Sequence, residues 1–344
     1  MPIRARSLLL LSLLALGAGC AREKPEAPLI PPVTQAILTT VGDSASTIEG
    51  IALAGGKLYV CDWKDGTIYR VDPAAPTPVA VGGLPIPAGT SILGMVTDSS
   101  GNLYLAVPDP GVVYRVAAAR LGAPDFDRKK DAVAFASGAK GANGVTFDPR
   151  GHLWITGGNT GNLYHVGPAG GAVATFASGF SAVSTDTTIP VRGYTVNGIA
   201  FDSKGGLYTA NTGTGEITRI AVGPDYKPGA IGTFVRDPRL IGADGILMDS
   251  QDNLWVDANY RNTLARVGPD GTITIVASST PRGTYADSTM VPAYPQEGTA
   301  NVFRFPAELK ILGRTAYLAN LNFPVGMNAG QTFKGASIAA ITLP

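Results

Sequence analysis

The sequence predicts an all-β chain, a six-bladed β-propeller closed by an N-terminal strand, on three observations. The first is an internal repeat. Segments reading EGIALAGGKLYVCDWKDGTIYRVDP, LGMVTDSSGNLYLAVPDPGVVYRVAA, NGVTFDPRGHLWITGGNTGNLYHVGPAG, NGIAFDSKGGLYTANTGTGEITRIAV and DGILMDSQDNLWVDANYRNTLARVGPDG begin at Glu49, Leu93, Asn143, Asn197 and Asp244. A more divergent sixth begins at Asn301, and the steps of 44 to 57 residues suit one four-stranded sheet per unit. The second is composition: 44 glycines in 344 residues fit a chain that turns often. The third is a spare strand. The sixth unit offers NVFRFP, TAYLAN and SIAAITLP but no outer strand, while QAILTTVG (Gln35 to Gly42) precedes the first unit and can close the ring.

Within a unit, strand a is a short apolar run (IALA, VTFD, IAFD, ILMD) ending at a turn such as Asp148-Pro149-Arg150-Gly151 or Asp202-Ser203-Lys204-Gly205. Strand b reads KLYVCD, NLYLAV, HLWITG, GLYTAN or NLWVDAN; strand c reads TIYRVD, VVYRVA, NLYHVG, EITRIA or TLARVG. Strand d is the less regular TPVAVGG, AVAFASG, AVATFASG, GTFVRD or TITIVAS. An aromatic ring recurs on strand b as Tyr59, Tyr104, Trp154, Tyr208, Trp255 and Tyr317. A residue present in every unit serves a need that every unit shares, so these rings are expected between blades. With strand a starting on the upper face, the b–c turns and d–a connections are also upper and the a–b turns lower. The two longest d–a connections, Ser181 to Val196 and Pro281 to Ala300, are then expected to roof the axis.

Residues 1–19 place Arg4 and Arg6 before an apolar run from Leu8 to Leu16, too short to span a bilayer and followed by small residues. This reads as a secretory signal. Cys20 resembles the acylated cysteine of bacterial lipoproteins, so the mature chain is expected to be lipid-anchored at the cell envelope or else secreted, touching membrane only through that anchor. Residues 20–34, with four prolines between Ala21 and Pro32, read as a flexible tether, and residues 35–344 as the propeller. Without residues 1–19, 25 Lys plus Arg stand against 26 Asp plus Glu. No basic cluster emerges, so nucleic acid is not an expected partner. A monomer is expected. Cys61, in KLYVCD, reads as a small buried apolar residue.

Four of the first five units open on an oxygen-bearing side chain before glycine: Glu49, Asn143, Asn197 and Asp244. A propeller gathers the starts of its innermost strands round one axis, so two carboxylates and two amides would converge there. Such a set suits one divalent cation, Ca²⁺ first, with Mg²⁺, Mn²⁺ or Zn²⁺ also admissible. The competing reading is that Asn-Gly and Asp-Gly merely form turns, though glutamate is not a favoured turn residue. The second unit opens on Leu93 and contributes no ligand.

On these ordered head residues and the repeat across residues 35 to 344, the chain resembles the SMP-30/gluconolactonase family, which includes regucalcin and sugar lactonases, with arylesterase/paraoxonase as more distant relatives. The resemblance implies a divalent-ion site on Glu49, Asn143, Asn197 and Asp244, and hydrolysis of a small lactone or ester. Asp244 would then be the catalytic base. It also implies an arginine two residues before the third-unit asparagine for substrate hydroxyls. This chain has Gly141 there, leaving Lys140 and Arg192 as candidate substrate contacts. His152 and His165 fall on strands b and c, as surface or inter-blade residues. The alternative function is a non-catalytic, envelope-associated binding or scaffold propeller with a structural ion.

Overall fold

An aspartate ends strand a in four blades, and its carboxylate organises the turn that follows. In blade three, Asp148 Oδ1 accepts from the amides of Arg150 (2.8 Å) and His152 (2.9 Å), and Oδ2 accepts from Trp154 Nε1 (3.1 Å). Asp98, Asp202 and Asp249 repeat the pattern, each accepting two turn amides and the polar tip of the strand-b ring: Tyr104, Tyr208 or Trp255. One side chain thus satisfies the turn backbone and sets the ring that packs against the next blade.

The computed structural model describes residues 33–278 except 188 and 190, together with 302–324, 332–333 and 335–344. The expectations placed on residues 1–32 and on the connection Pro281 to Ala300 lie outside the described residues. Six sheets form a six-bladed propeller. Their innermost strands are Ile51–Ala54, Met95–Thr97, Val145–Phe147, Ile199–Phe201, Ala243–Met248 and Pro306–Leu312. The closure is as predicted: Gln35–Val41 runs antiparallel to Ala336–Thr342, with Gln35 opposite Ile341 and Val41 opposite Ala336. A short strand, Gly171–Ala172, leaves blade three to pair in parallel with the outer strand of blade two (Ala132–Ser137), linking the two blades at their rim.

The apolar core is divided among the seams. Trp154 is fully buried with Phe176, Leu163, Ile199 and Leu207 between blades three and four, and comparable clusters fill the other seams, including that between blades six and one (Tyr317, Ile338, Ile51, Val60). The strand-b rings are therefore inter-blade residues, Tyr104 meeting Phe147 edge-on at 4.9 Å. Cys61 is buried, its thiol 3.4 Å from the Gly66 carbonyl oxygen.

Blade six corrects the sequence reading. Its strand a is Pro306–Leu312, not the NVFRFP segment. Phe303 and Phe305 are fully buried in the connection leading to it, so apolar content there reflects burial without strand pairing. The shift moves Glu308 into an innermost strand.

Candidate metal centre and axial cavity

The glycine after each head residue is explained by crowding at the axis rather than by a turn. A Cβ on Gly50, Gly94, Gly144 or Gly198 would stand 2.3, 2.5, 2.5 or 2.2 Å from the carbonyl oxygen of the next blade's head residue, Leu93, Asn143, Asn197 or Asp244. None of the four has positive φ. Glycine is therefore dictated by packing of blade on blade, including at Leu93-Gly94, where no polar head exists. The identity of the head residue is left to other needs.

Glu49, Asn143, Asn197 and Asp244 are all buried and line one axial cavity of about 310 Å³. Neighbours fix them in place. Asn197 Nδ2 donates to Thr212 Oγ1 (2.9 Å), and Asn197 also hydrogen-bonds Asp244. Asn259 Nδ2 donates to Asp244 Oδ2 (2.7 Å). The Thr156 hydroxyl accepts from Gly144 N (2.8 Å) and donates to the Asn197 carbonyl (2.6 Å), stitching blade three to blade four. Among the described residues Asn143 Nδ2 is buried without a partner.

Two carboxylates absent from the sequence reading complete the axis. Asp257, fully buried on strand b of blade five, accepts from Gly245 N (3.0 Å) with Oδ1, while its Oδ2 has no partner among the described residues. Glu308 Oε2 accepts from the amides of Ile51 (3.1 Å) and Met95 (3.0 Å), and Oε1 accepts from Lys310 Nζ (2.5 Å). Burial raises the pKa of all four carboxyls. Glu49 is pushed further by the charges of Asp244, Glu308 and Asp257, and Asp244 reaches about 8 despite the opposing hydrogen bond from Asn259. Asp257 was legible as a departure from the repeat, since Thr156 and Ala210 hold the equivalent strand-b position. Glu308 was hidden by the misplaced strand.

The described part of the connection Ser181 to Val196 crosses the axis. Val191 leaves the junction of blades three and four and packs with Trp63 and Phe323 against Phe305, Ala307 and Leu321, on the opposite side of a six-membered ring. Tyr194 follows, its phenol pKa raised by burial and then by the charges of Glu49 and Asp244. Arg192 lies in the same roof, its backbone against Gly213. Lys140 is exposed beside a separate shallow depression bordered by Pro108, Asp109, Asn159 and Thr160, not among the lining of the axial cavity. Gly141 has φ +75°, and a Cβ there would stand 2.5 Å from Gly157 O, so this backbone admits no arginine. His152 and His165 stack with Tyr226 (4.0 and 5.1 Å) between blades three and four.

Among the described residues no three His, Cys, Asp or Glu side chains form a metal-holding cluster; half of the axial head set is amide. The donors nonetheless fit a hard divalent cation. Glu49 and Asp244 balance its charge, the asparagines offer neutral oxygens, and a cation relieves the burial of like charges.

This arrangement defines a six-bladed propeller with a polar axial pocket. Residues 138–285 match the sequence profile of the SMP-30/gluconolactonase/LRE-like region. Comparison with curated protein sequences gives no match. Solved structures share the fold at low identity. The calcium-binding protein regucalcin from Agrobacterium tumefaciens strain C58 is 14% identical, with a TM-score of 0.62 over 91% of this chain and 96% of its own. A luciferin-regenerating enzyme is 13% identical, with a TM-score of 0.63 over 90% of this chain and 95% of its own. Virginiamycin B lyase from Staphylococcus aureus is 16% identical, with a TM-score of 0.56 over 91% of this chain and 100% of its own.

Proposed function

We propose that the protein is a divalent-cation-dependent hydrolase of a small lactone or ester, its cation held by Glu49, Asn143, Asn197 and Asp244. The observation that carries this reading is the convergence of those four side chains, from blades one, three, four and five, on one cavity in which two buried carboxylates repel each other. Ca²⁺ suits the all-oxygen set, and the regucalcin relative is a calcium-binding protein. When bound, the cation supplies Lewis acidity toward a carbonyl oxygen. Asp244, gripped by Asn259 and Asn197, is the candidate base. Tyr194 and the Val191 roof exclude bulk water from above the set. Histidine-based chemistry has no support at the axis. A His→Ala variant of the virginiamycin B lyase is inactive, whereas both histidines here lie in an inter-blade stack.

Titration calorimetry with Ca²⁺, Mn²⁺ and Zn²⁺ is expected to show one site in the wild type and none in Asp244→Ala. Chelation is expected to abolish turnover of a lactone and aryl-ester panel. Equal binding by both proteins would remove Asp244 from the site, and cation binding with no turnover across the panel would leave the binding-propeller reading. For localisation we propose lipid attachment at Cys20. Metabolic labelling with an alkyne fatty acid should mark the wild type and spare Cys20→Ser; equal labelling rejects the anchor.

A further inference from the structure

The cavity does not end at the head residues. It continues along the six inner strands to their lower ends, where Leu53, Thr97, Phe147, Phe201, Met248 and Lys310 are partly exposed while the head residues are buried. Above the head residues, the described atoms are the roof of Val191, Trp63, Phe323 and Tyr194. The described cavity therefore opens downward, through a vestibule whose wall sets Leu53, Val96, Phe147, Phe201 and Met248 beside Thr97, Thr146 and Lys310.

That vestibule also presents backbone donors. Ile51 and Met95 each stand second after a head residue, and their amides face the axis, where both are taken by Glu308 Oε2. Val145 and Ile199 hold the same position in blades three and four, with the same antiparallel register to strand b. Both line the cavity, and among the described residues no side chain hydrogen-bonds their amides. Two of these N–H donors are thus occupied by a carboxylate oxygen of the protein, and two more, in blades three and four, present the same geometry to a ligand oxygen. The ligand's charge is constrained as well. Glu49, Asp244, Asp257 and Glu308 surround the axis, and Lys310, the cation in the wall, is engaged by Glu308 at 2.5 Å. An anion is disfavoured there and a neutral acceptor is not.

We propose that the axial cavity admits its ligand from the lower face, and that the ligand is a neutral molecule whose carbonyl oxygen accepts from the amides of Val145 and Ile199, with an apolar part lying against Leu53, Val96, Phe147, Phe201 and Met248. The proposal rests on the axial set being a small-molecule reaction site and names the substrate class for it. A cavity of about 310 Å³ holds a molecule of roughly 10 to 15 non-hydrogen atoms, judged against the ~30 Å³ share of a liquid water.

The test uses γ-nonalactone as probe and the full chain in a Cys20→Ser background, where the buried Cys61 is protected from labelling. Thr97→Cys is modified after folding with a pyrene maleimide, so the unlabelled protein serves as its own folding control. Ile231→Cys, on the exposed outer strand of blade four, is labelled in parallel. Binding is measured by ligand-observed NMR with Ca²⁺ and with chelator. A label at position 97 is expected to weaken binding at least about tenfold, and one at position 231 by less than about twofold, in both conditions. Equal affinity with and without the label at position 97, or no binding by the unlabelled protein, overturns the proposal. Because binding is read with chelator present, a failed cation titration sinks the hydrolase reading without affecting this result, and the reverse holds.

Discussion

The lower-rim aspartates and the axial carboxylates are acids of the same kind in opposite circumstances. Asp98, Asp202 and Asp249 are partly buried, and although burial alone would raise them, hydrogen bonds from turn amides and ring tips outweigh it and lower each pKa. At the axis the balance reverses. Glu49, Asp244, Asp257 and Glu308 are raised by burial, and three of them, Glu49, Asp244 and Asp257, are raised further by neighbouring carboxylates. The rim set recurs from blade to blade and completes the fold, whereas the axial set differs from blade to blade and leaves donors and charge unspent. A residue that every blade carries belongs to the architecture; one that breaks the repeat and costs stability is retained for chemistry.

The sharpest way to break this contrast is to truncate one member of each set. Asp202→Ala removes the acceptor for Lys204 N, Gly206 N, the Tyr208 hydroxyl and Arg219, and is expected to cost about 2–3 kcal/mol in chemical denaturation. A change below about 0.5 kcal/mol would contradict the structural role assigned to the rim. Asp244→Asn in metal-free protein should instead raise the melting temperature near neutral pH, by about 2–4 °C, because it removes an acid that burial forces to hold its proton far above its ordinary pKa while keeping an amide oxygen to accept from Asn259. A lower melting temperature would show that repulsion at the axis is already relieved.

The smallest and most diagnostic effect is in pH. The rim aspartates have folded pKa values below their ordinary value of 3.8. Their contribution is therefore complete above that value and lost as pH falls through the lowered folded pKa. Asp244 runs the other way: the folded state holds its proton up to about 8, so metal-free stability declines as pH rises from about 4 toward 8. Saturating Ca²⁺ should remove that alkaline decline and leave the acid limb unchanged. A pH profile indifferent to Ca²⁺ would separate the cation from these carboxylates.

Blades two to five were legible because their signals are local: a turn aspartate, a ring six residues on, and a glycine that backbone crowding allows no substitute for; blade one shares the ring and the glycine but turns at Ala54-Gly55-Gly56. The four head residues were legible for the same reason, being written beside that glycine. Glu308 was not, since blade six carries Ala307 and Glu308 where the others carry a head residue and glycine, and the buried Phe303 and Phe305 imitate a strand just before it. Asp257 shares a strand with an ordinary packing tryptophan, and its meaning comes from Gly245 across the sheet. Tyr194 gains its place from the path of an insertion with no repeat to compare.

The closing strand sets a condition on how the molecule is made. Gln35–Val41 leaves the ribosome before every other strand of the propeller, yet its partner Ala336–Thr342 leaves after all of them. The seam between first and last blades is the contact of greatest sequence separation in the domain, a class of pairing that forms slowly. Throughout translation, one unpaired edge waits at each end of a growing row of blades. A chain halted before residue 336 cannot complete the ring, and the axial pocket, to which blade six contributes Glu308, assembles only when that last seam forms.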